Sequence, residues 1–219
     1  MGIVWVKNKL LMITNIYEEI YILKFMLLKI FIKPILFFLN LYSLIKKFIF
    51  LKMVNFKHLG INPNINVGFI SSPSNVWVGD NVYLGPNYTI DARGGFKIGS
   101  GTRIAAKLTV YTSNHNFRNA ECLPYDNKNV IKPVNIGKNC WIGEGVMMNP
   151  GISLGDGVIV ALGSVVTKSF PNYSIIGGNP AKLIKIRDDI ENYKQLSKKN
   201  LNINNMGYME RINIKFENK

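Results

Sequence analysis

The chain has 219 residues, of which 47% are apolar, and 27 lysines and arginines against 13 acids give a formal net charge of +14. This apolar fraction excludes a wholly disordered protein. Two cysteines without CxxC spacing and only two histidines are too few for a disulfide framework or a multi-histidine metal site. We therefore expect no metal and a reducing compartment. The positive charge could bind nucleic acid, an anionic membrane or a phosphorylated substrate.

The N-terminal region, residues 1–57, carries half of this charge, with nine lysines against two acids and no arginine. Lysines that recur among Leu, Ile and Phe are typical of helices lying in a membrane interface. The absence of arginine argues against nucleic acid as the partner. Packing of the same helices on the rest of the protein or on a sister subunit is the alternative, and the two can both hold.

This region is a poor candidate for a membrane-spanning helix or a cleaved signal. Its longest uncharged run, residues 34–45, has 12 residues, whereas a span needs about 20. Glu18 and Glu19 precede the apolar stretch, and no small-residue cleavage site follows it. Pro34 predicts a break between two helices, at about residues 18–33 and 35–54.

A six-residue repeat organises the middle of the chain. Neither a helix nor an ordinary strand has this period, so it predicts a left-handed parallel β-helix whose triangular coils contain three hexapeptides each. The aliphatic residue of each hexapeptide points into the core, and the small residue after it lies at a corner. The aliphatic positions are Val78, Leu84, Ile90, Ile98, Ile104, Val110, Ile136, Ile142, Met148, Leu154, Val160 and Val166.

The repeat sets the domain boundaries. Phase breaks place the coils at 78–95, 98–115, 136–153 and 154–171, with an irregular first coil at 59–77 and an inserted loop at 116–133. The fold class is thus mainly β, with about five coils spanning residues 58–179. The residues after Pro180 predict a C-terminal helix, and we expect residues 198–219, which are rich in Asn and Lys, to cap or fray.

Several motifs in residues 59–187 resemble the hexapeptide-repeat acyltransferases, in particular the galactoside and maltose acetyltransferases and the O-acetyltransferases of surface polysaccharides. The segment YTSNH at 111–115 is similar to the family segment that ends in its catalytic histidine. The other matching segments are IDARGG at 90–95, PVNIG at 133–137, CWIG at 140–143, ALGSVVTK at 161–168 and IGGNPAK at 176–182.

The resemblance implies direct transfer from acetyl-CoA with His115 as general base. A histidine suits this step because its imidazole titrates near neutral pH. Cys140 precedes a core position and is expected to be structural, and Cys122 lies in the loop without an evident basic neighbour. His58 lies in the junction before the first coil, where no function is expected.

The resemblance also assigns the remaining site residues. Asn87 and Asp91 are expected near the acceptor, although Asp91 could instead orient His115 or cap a corner. Trp141 is expected to pack on sugar or pantetheine, or at a subunit contact. The positions that match the family's coenzyme A groove are Gly143, Ala161, Gly163, Ser164, Thr167, Lys168, Lys182 and Arg187. The groove lies between neighbouring β-helices, so a homotrimer is implied.

These observations favour an acetyl-CoA-dependent O-acetyltransferase that acts on a sugar hydroxyl of a cell-surface polysaccharide or its lipid-linked precursor. We expect it in the cytoplasm, at the inner face of a bacterial plasma membrane, and without nucleic acid. N-acetylation of an amino-sugar nucleotide and acetylation of a small sugar remain alternatives, and a non-catalytic scaffold is a third. The sequence identifies neither the acceptor hydroxyl nor the length of the acyl group.

Overall fold

The computed structural model describes residues 2–199, and within the first helix it describes side chains from Tyr17 onward. The chain divides into two compact units, Met1–Ile49 and Phe50–Lys219. The boundary between them falls inside the first helix, α1 (Gly2–Met53).

The first unit contains α1 up to Ile49, and the helix continues through Pro34. The expected break into two helices is therefore wrong. Proline removes one backbone hydrogen bond at a cost of about 3 kcal/mol, but the Leu- and Ile-rich sequence on both sides favours helix. Large apolar side chains such as Phe31 (65% exposed) and Phe38 (64% exposed) are uncovered within this unit. Among the described residues, no helix holds an apolar stretch long enough to cross a bilayer.

The second unit is built around a parallel β-helix of about six turns, close to the five expected. Successive strands pass to three sheets in turn, which gives the coil its three sides. Sheet A contains β1 (His58–Leu59), β4 (Val76–Val78), β7 (Phe96–Ile98), β12 (Val134–Ile136) and β15 (Ser153–Leu154). Sheet B contains β2 (Asn64–Ile65), β5 (Tyr83–Leu84), β8 (Arg103–Ile104), β13 (Trp141–Ile142), β16 (Ile159–Val160), β18 (Ser174–Gly177) and β19 (Lys182–Ile186). Sheet C contains β3 (Phe69–Ser71), β6 (Thr89–Asp91), β9 (Thr109–Tyr111), β14 (Met147–Met148) and β17 (Val165–Val166).

The inward ladder predicted from the repeat forms the core. All twelve aliphatic positions are 3% exposed or less. The corner residues are small because adjacent coils stack backbone against backbone: a Cβ on Gly137 would lie 2.5 Å from the carbonyl carbon of Gly155. The coil count is higher than expected because Phe170 forms a parallel β-bridge with Leu154. This bridge begins a further turn after the sequence repeat has ended.

The inserted segment is an antiparallel hairpin rather than an unstructured loop. Its arms are β10 (Ser113–His115) and β11 (Asn129–Ile131), which pair His115 with Asn129. The hairpin leaves the β-helix after β9 and returns before β12, at the corner between sheets C and A.

The C-terminal helix begins later than expected. Residues 182–186 form β19, which pairs antiparallel with β18 at the end of sheet B, so the helix predicted from Pro180 onward is wrong over this segment. The pairing satisfies backbone groups that an edge strand would otherwise expose, and this outweighs local helix propensity. Helix α2 spans Ile190–Lys198. A one-turn 3₁₀ helix lies at Pro73–Asn75. The part of the expected tail beyond Lys199 lies outside the described residues.

Candidate active site

A cavity of about 320 Å³ opens where the hairpin meets the β-helix, and His115 lines it. Thr167, which comes from the coil side, lines the same cavity. The structure therefore brings together the expected base and one residue expected to bind coenzyme A. The other lining residues are Asn114, Asn116, Phe117, Arg118, Val130, Lys132, Asn149 and Pro150.

The coil side of the cavity is a column of residues at the end of sheet C. Asn149 follows β14 and Thr167 follows β17, one coil further along. The backbone N–H of Asn149 donates to the carbonyl of Val166 at 3.0 Å, which fixes the spacing of the two side chains. Both residues are exposed, so their polar groups are accessible to a ligand.

His115 is held by stacking on Tyr125 of the hairpin loop. The ring centroids are 3.8 Å apart and the rings are within 10° of parallel. One face of the imidazole is therefore covered, while His115 as a whole is exposed and lines the cavity. The backbone N–H of His115 donates to Asn114 Oδ1 at 2.9 Å, which fixes the end of β10.

The base of the hairpin is fastened to the β-helix through two hydroxyls. Thr112 Oγ1 donates to the carbonyl of Asp91 at 2.7 Å, and its own carbonyl accepts from the N–H of Lys132 at 2.8 Å. Ser113 Oγ donates to Asp91 Oδ2. Because Ser113 begins the strand that ends at His115, these bonds set where the histidine lies.

Asp91 is a buried anchor, 7% exposed, rather than a partner of His115. Its carboxylate accepts from Ser71 Oγ at 2.9 Å and from Nε and Nη2 of Arg93, each at 3.0 Å. Burial by itself would raise the pKa of Asp91, but the hydrogen bonds from Arg93, Ser113 and Ser71 outweigh it and lower the pKa well below its ordinary value. Among the described residues, no hydrogen bond joins Asp91 to His115.

A second buried carboxylate shapes the hairpin loop. Asp126 Oδ2 accepts from Asn116 Nδ2 at 2.8 Å, and its Oδ1 accepts from the backbone N–H of Lys128 at 2.9 Å. Burial opposes ionisation, yet these hydrogen bonds lower the pKa of Asp126. These hydrogen bonds join the two ends of the loop that carries Tyr125, the residue that stacks on His115.

Several expected site residues lie at a different corner, between sheets B and C. Asn87 occupies the turn between β5 and β6 with a φ of 61°, and it does not line the cavity. Gly143 and Ala161 begin the turns after β13 and β16. Gly163 has a φ of 67° and open space around its Cα, whereas Ser164 is buried and donates to the carbonyl of Ala161 at 2.6 Å.

The remaining expected residues are dispersed. Trp141 lies on sheet B and is 62% exposed. Lys168 follows Thr167, with its ammonium 5.5 Å from the centroid of the Phe170 ring, and Lys182 begins β19. Arg187 forms a two-point ion pair with Asp189 at 2.8 and 2.7 Å, so its guanidinium already has a carboxylate partner.

The two cysteines differ in the way that the sequence indicated. Cys140 is buried, and burial raises the pKa of its thiol to about 11, so it stays protonated and unreactive at neutral pH. Cys122 is exposed, and its thiol donates to the carbonyl of Tyr125 at 3.3 Å. Within the described part of the chain, no cluster of His, Cys, Asp or Glu could hold a metal ion.

Sequence reasoning missed much of the cavity lining. Asn149 follows the core position Met148 in the repeat, so the coil spacing could have placed it beside Thr167. Tyr125, Arg118 and Lys132 lie within or beside the insertion, where no period relates a residue to the coils. Only a folded hairpin shows that they flank His115.

The comparisons with known proteins agree with this architecture. A family model described as the hexapeptide repeat of succinyl-transferase matches residues 133–168. The galactoside O-acetyltransferase of Escherichia coli (strain K12) is 32% identical over 121 residues, which cover 55% of this chain and 59% of that protein. WcaF of the same strain, an acetyltransferase named provisionally for colanic acid biosynthesis, is 29% identical over 62% of this chain and 70% of its own length.

Solved structures show the same fold. A hexapeptide-repeat-containing acetyltransferase from Vibrio cholerae matches with a TM-score of 0.56 and 25% identity, over 60% of this chain and 74% of that one. A galactoside acetyltransferase in complex with coenzyme A matches with a TM-score of 0.54 and 29% identity, over 61% of this chain and 67% of that one. The resemblance of this chain to the hexapeptide-repeat acyltransferases, expected from its motifs, is confirmed. The chain spans 56% to 63% of the length of the first curated relatives that it matches.

The Asp91 anchor makes stability depend on pH. Replacing Asp91 with Asn (Asp91→Asn) is expected to lower the free energy of unfolding by about 2 kcal/mol at pH 7, because charge-assisted hydrogen bonds are lost. The folded-state pKa of Asp91 is depressed, so its contribution is present above the unfolded value of about 4 and is lost as the pH falls below it. Denaturant unfolding at pH 7, 4 and 3 should show the difference between wild type and variant shrinking. A difference that stays constant would contradict the anchor.

Proposed function

We propose that the protein is an acetyl-CoA-dependent O-acetyltransferase that acts on a sugar hydroxyl, with His115 as the general base. The observation that carries this proposal is the shared cavity of His115 and Thr167, at the point where the family segments YTSNH and ALGSVVTK approach each other. The relatives support it, since the galactoside acetyltransferase was solved with coenzyme A and the Vibrio cholerae protein with acetyl-CoA.

In the proposed reaction the acceptor hydroxyl gives its proton to an imidazole nitrogen of His115 as its oxygen attacks the thioester carbonyl carbon. The carbon–oxygen bond forms, the carbon–sulfur bond breaks, and the leaving thiolate of coenzyme A takes the proton from the imidazolium. The stacked Tyr125 holds the ring, so no reorientation is needed between the two proton transfers. The amide of Asn149 is available in the cavity to bind a sugar hydroxyl.

We propose a homotrimer, because a single chain separates the two halves of the expected site. His115 and Thr167 lie at the corner between sheets C and A, whereas Gly143, Ala161 and Gly163 lie at the corner between sheets B and C. A second copy that places one corner against the other would complete a groove for coenzyme A. Leu162 lies at the second corner and is 79% exposed, which favours burial of this corner by a partner.

The acceptor we propose is a cell-surface polysaccharide or its lipid-linked precursor, presented at an anionic membrane face in the cytoplasm. This proposal rests on α1, whose exposed apolar side chains are interspersed with exposed lysines such as Lys24, Lys29 and Lys33. Lysines of this kind bind anionic head groups while the apolar residues enter the interface. The name of WcaF supports a polysaccharide pathway.

The base is tested with a matched pair of histidine variants. His115→Gln is expected to lower kcat by about 100-fold or more, because general-base catalysis contributes about 10²–10⁴-fold. Release of free thiol from acetyl-CoA, screened over glycans and amino sugars, measures the activity. His58→Gln is the control, since His58 stacks on Trp77 away from the cavity and should retain wild-type turnover. Near wild-type turnover by His115→Gln would refute the assignment.

Membrane contact is tested on the full chain by replacing Lys24, Lys29, Lys33 and Lys46 with Gln. The fraction that floats with phosphatidylglycerol vesicles should fall at least tenfold, because each lysine near an anionic surface contributes about 1 kcal/mol. Neutral phosphatidylcholine vesicles should bind both proteins equally weakly. If the variant floats as well as wild type on both lipids, α1 packs within the oligomer instead.

A further inference from the structure

The cavity at His115 is electropositive and has no acidic counterpart. Arg118 and Lys132 both line it. Within the described residues, none of the side chains that line this cavity is an aspartate or a glutamate, and neither cation forms an ion pair. A neutral sugar would require no such excess of charge.

The acids nearest to the cavity in the chain are committed elsewhere. Asp126 accepts hydrogen bonds from Asn116 and from the backbone of Lys128, and it is 4% exposed. Glu121 pairs with Lys128 at 2.5 Å. These carboxylates are therefore occupied by other partners, and the two cavity cations remain available to a ligand.

Both cations belong to the inserted segment, and Lys132 also packs against a coil. Arg118 follows His115 by three residues and extends over Phe117, with Cζ 5.6 Å from the ring centroid. Lys132 ends the return arm, and its aliphatic stem packs where Gly151 leaves space: a Cβ on Gly151 would lie 3.2 Å from Lys132 Cδ. The cations thus belong to the part of the cavity that the insertion adds.

We propose that Arg118 and Lys132 select an acceptor that carries an anionic group, a carboxylate or a phosphate, on the sugar that receives the acetyl group. This inference rests on the proposed function and specifies its substrate class. A guanidinium binds either group through two parallel hydrogen bonds, and the ammonium adds a second charge. The anion would hold the sugar so that a neighbouring hydroxyl reaches His115.

Pairs of acceptors that differ only at C6, where one member is neutral and the other carries an anionic group, test the proposal. Methyl β-D-glucuronide is compared with methyl β-D-glucoside for the carboxylate, and glucose 6-phosphate with glucose for the phosphate. The anionic member of at least one pair should have a kcat/KM at least tenfold higher, and the preference should weaken between 50 mM and 0.5 M NaCl because salt screens the charges. The pair that shows the preference identifies the anion. Equal kcat/KM values within both pairs would overturn the proposal.

Two variants locate the preference. For the pair that shows the preference, the ratio of kcat/KM between the anionic and the neutral acceptor should fall to near one in the Arg118→Gln, Lys132→Gln double variant. The KM for acetyl-CoA should stay unchanged. Lys97→Gln is the control, because it removes a lysine charge that lies over Trp77 on sheet A. This variant should keep the wild-type kcat/KM ratio. If the double variant instead raises KM for acetyl-CoA and keeps the acceptor ratio, the cations bind coenzyme A and the proposal is wrong.

Calorimetric titration of the same pairs separates this proposal from the proposed function. Tighter binding of the anionic sugar to wild type, lost in the double variant, supports the selectivity. If at the same time no acceptor is acetylated, the selectivity stands and the proposed activity fails. Acetyl transfer without any difference in binding or kcat/KM between neutral and anionic sugars leaves the activity in place and refutes the selectivity.

Discussion

The stacking of successive coils is the constraint on which the rest of the structure depends. Each coil places apolar side chains from its three sides in the core, and the backbone of the next coil lies directly against its corners. A coil cannot bury its aliphatic residues alone, so stability is cooperative along the axis. The chain can leave this path only at a corner, and it does so after β9, where the hairpin departs between sheets C and A.

The candidate site is a consequence of that departure. Thr112 and Ser113 fasten the outgoing arm to Asp91, and Lys132 closes the return arm on Thr112. Beyond these bonds, Tyr125 covers one face of His115. The rigid coils thus supply Asn149 and Thr167 to the cavity, while the hairpin supplies His115, Arg118 and Lys132. Under the proposed function, this division lets the insertion change the acceptor without disturbing the core.

The sequence predicts the regular part of the molecule well, because the repeat is dictated by the core. It predicts all twelve inward positions and the place of the insertion. It failed at residues 182–186, where pairing in sheet B overrides local helix preference, and at Pro34, where the helix-favouring sequence on both sides lets α1 continue. It also could not place Arg118, Lys132 or Tyr125, since an aperiodic insertion gives no register against the coils. Asp91 was expected near the acceptor or beside His115, and its bonds show an anchor beneath the hairpin.

The central claim, that donor and acceptor meet at His115, can be tested by nuclear magnetic resonance of the imidazole groups. The chain contains only two histidines, His58 and His115, so its ring spectrum holds one signal for the candidate site and one internal control. The His58→Gln variant assigns the two signals. Addition of coenzyme A and then of an acceptor sugar should shift the His115 signal in both steps and leave that of His58 unchanged. An unshifted His115 signal, with binding of both ligands verified by calorimetry, would contradict the account.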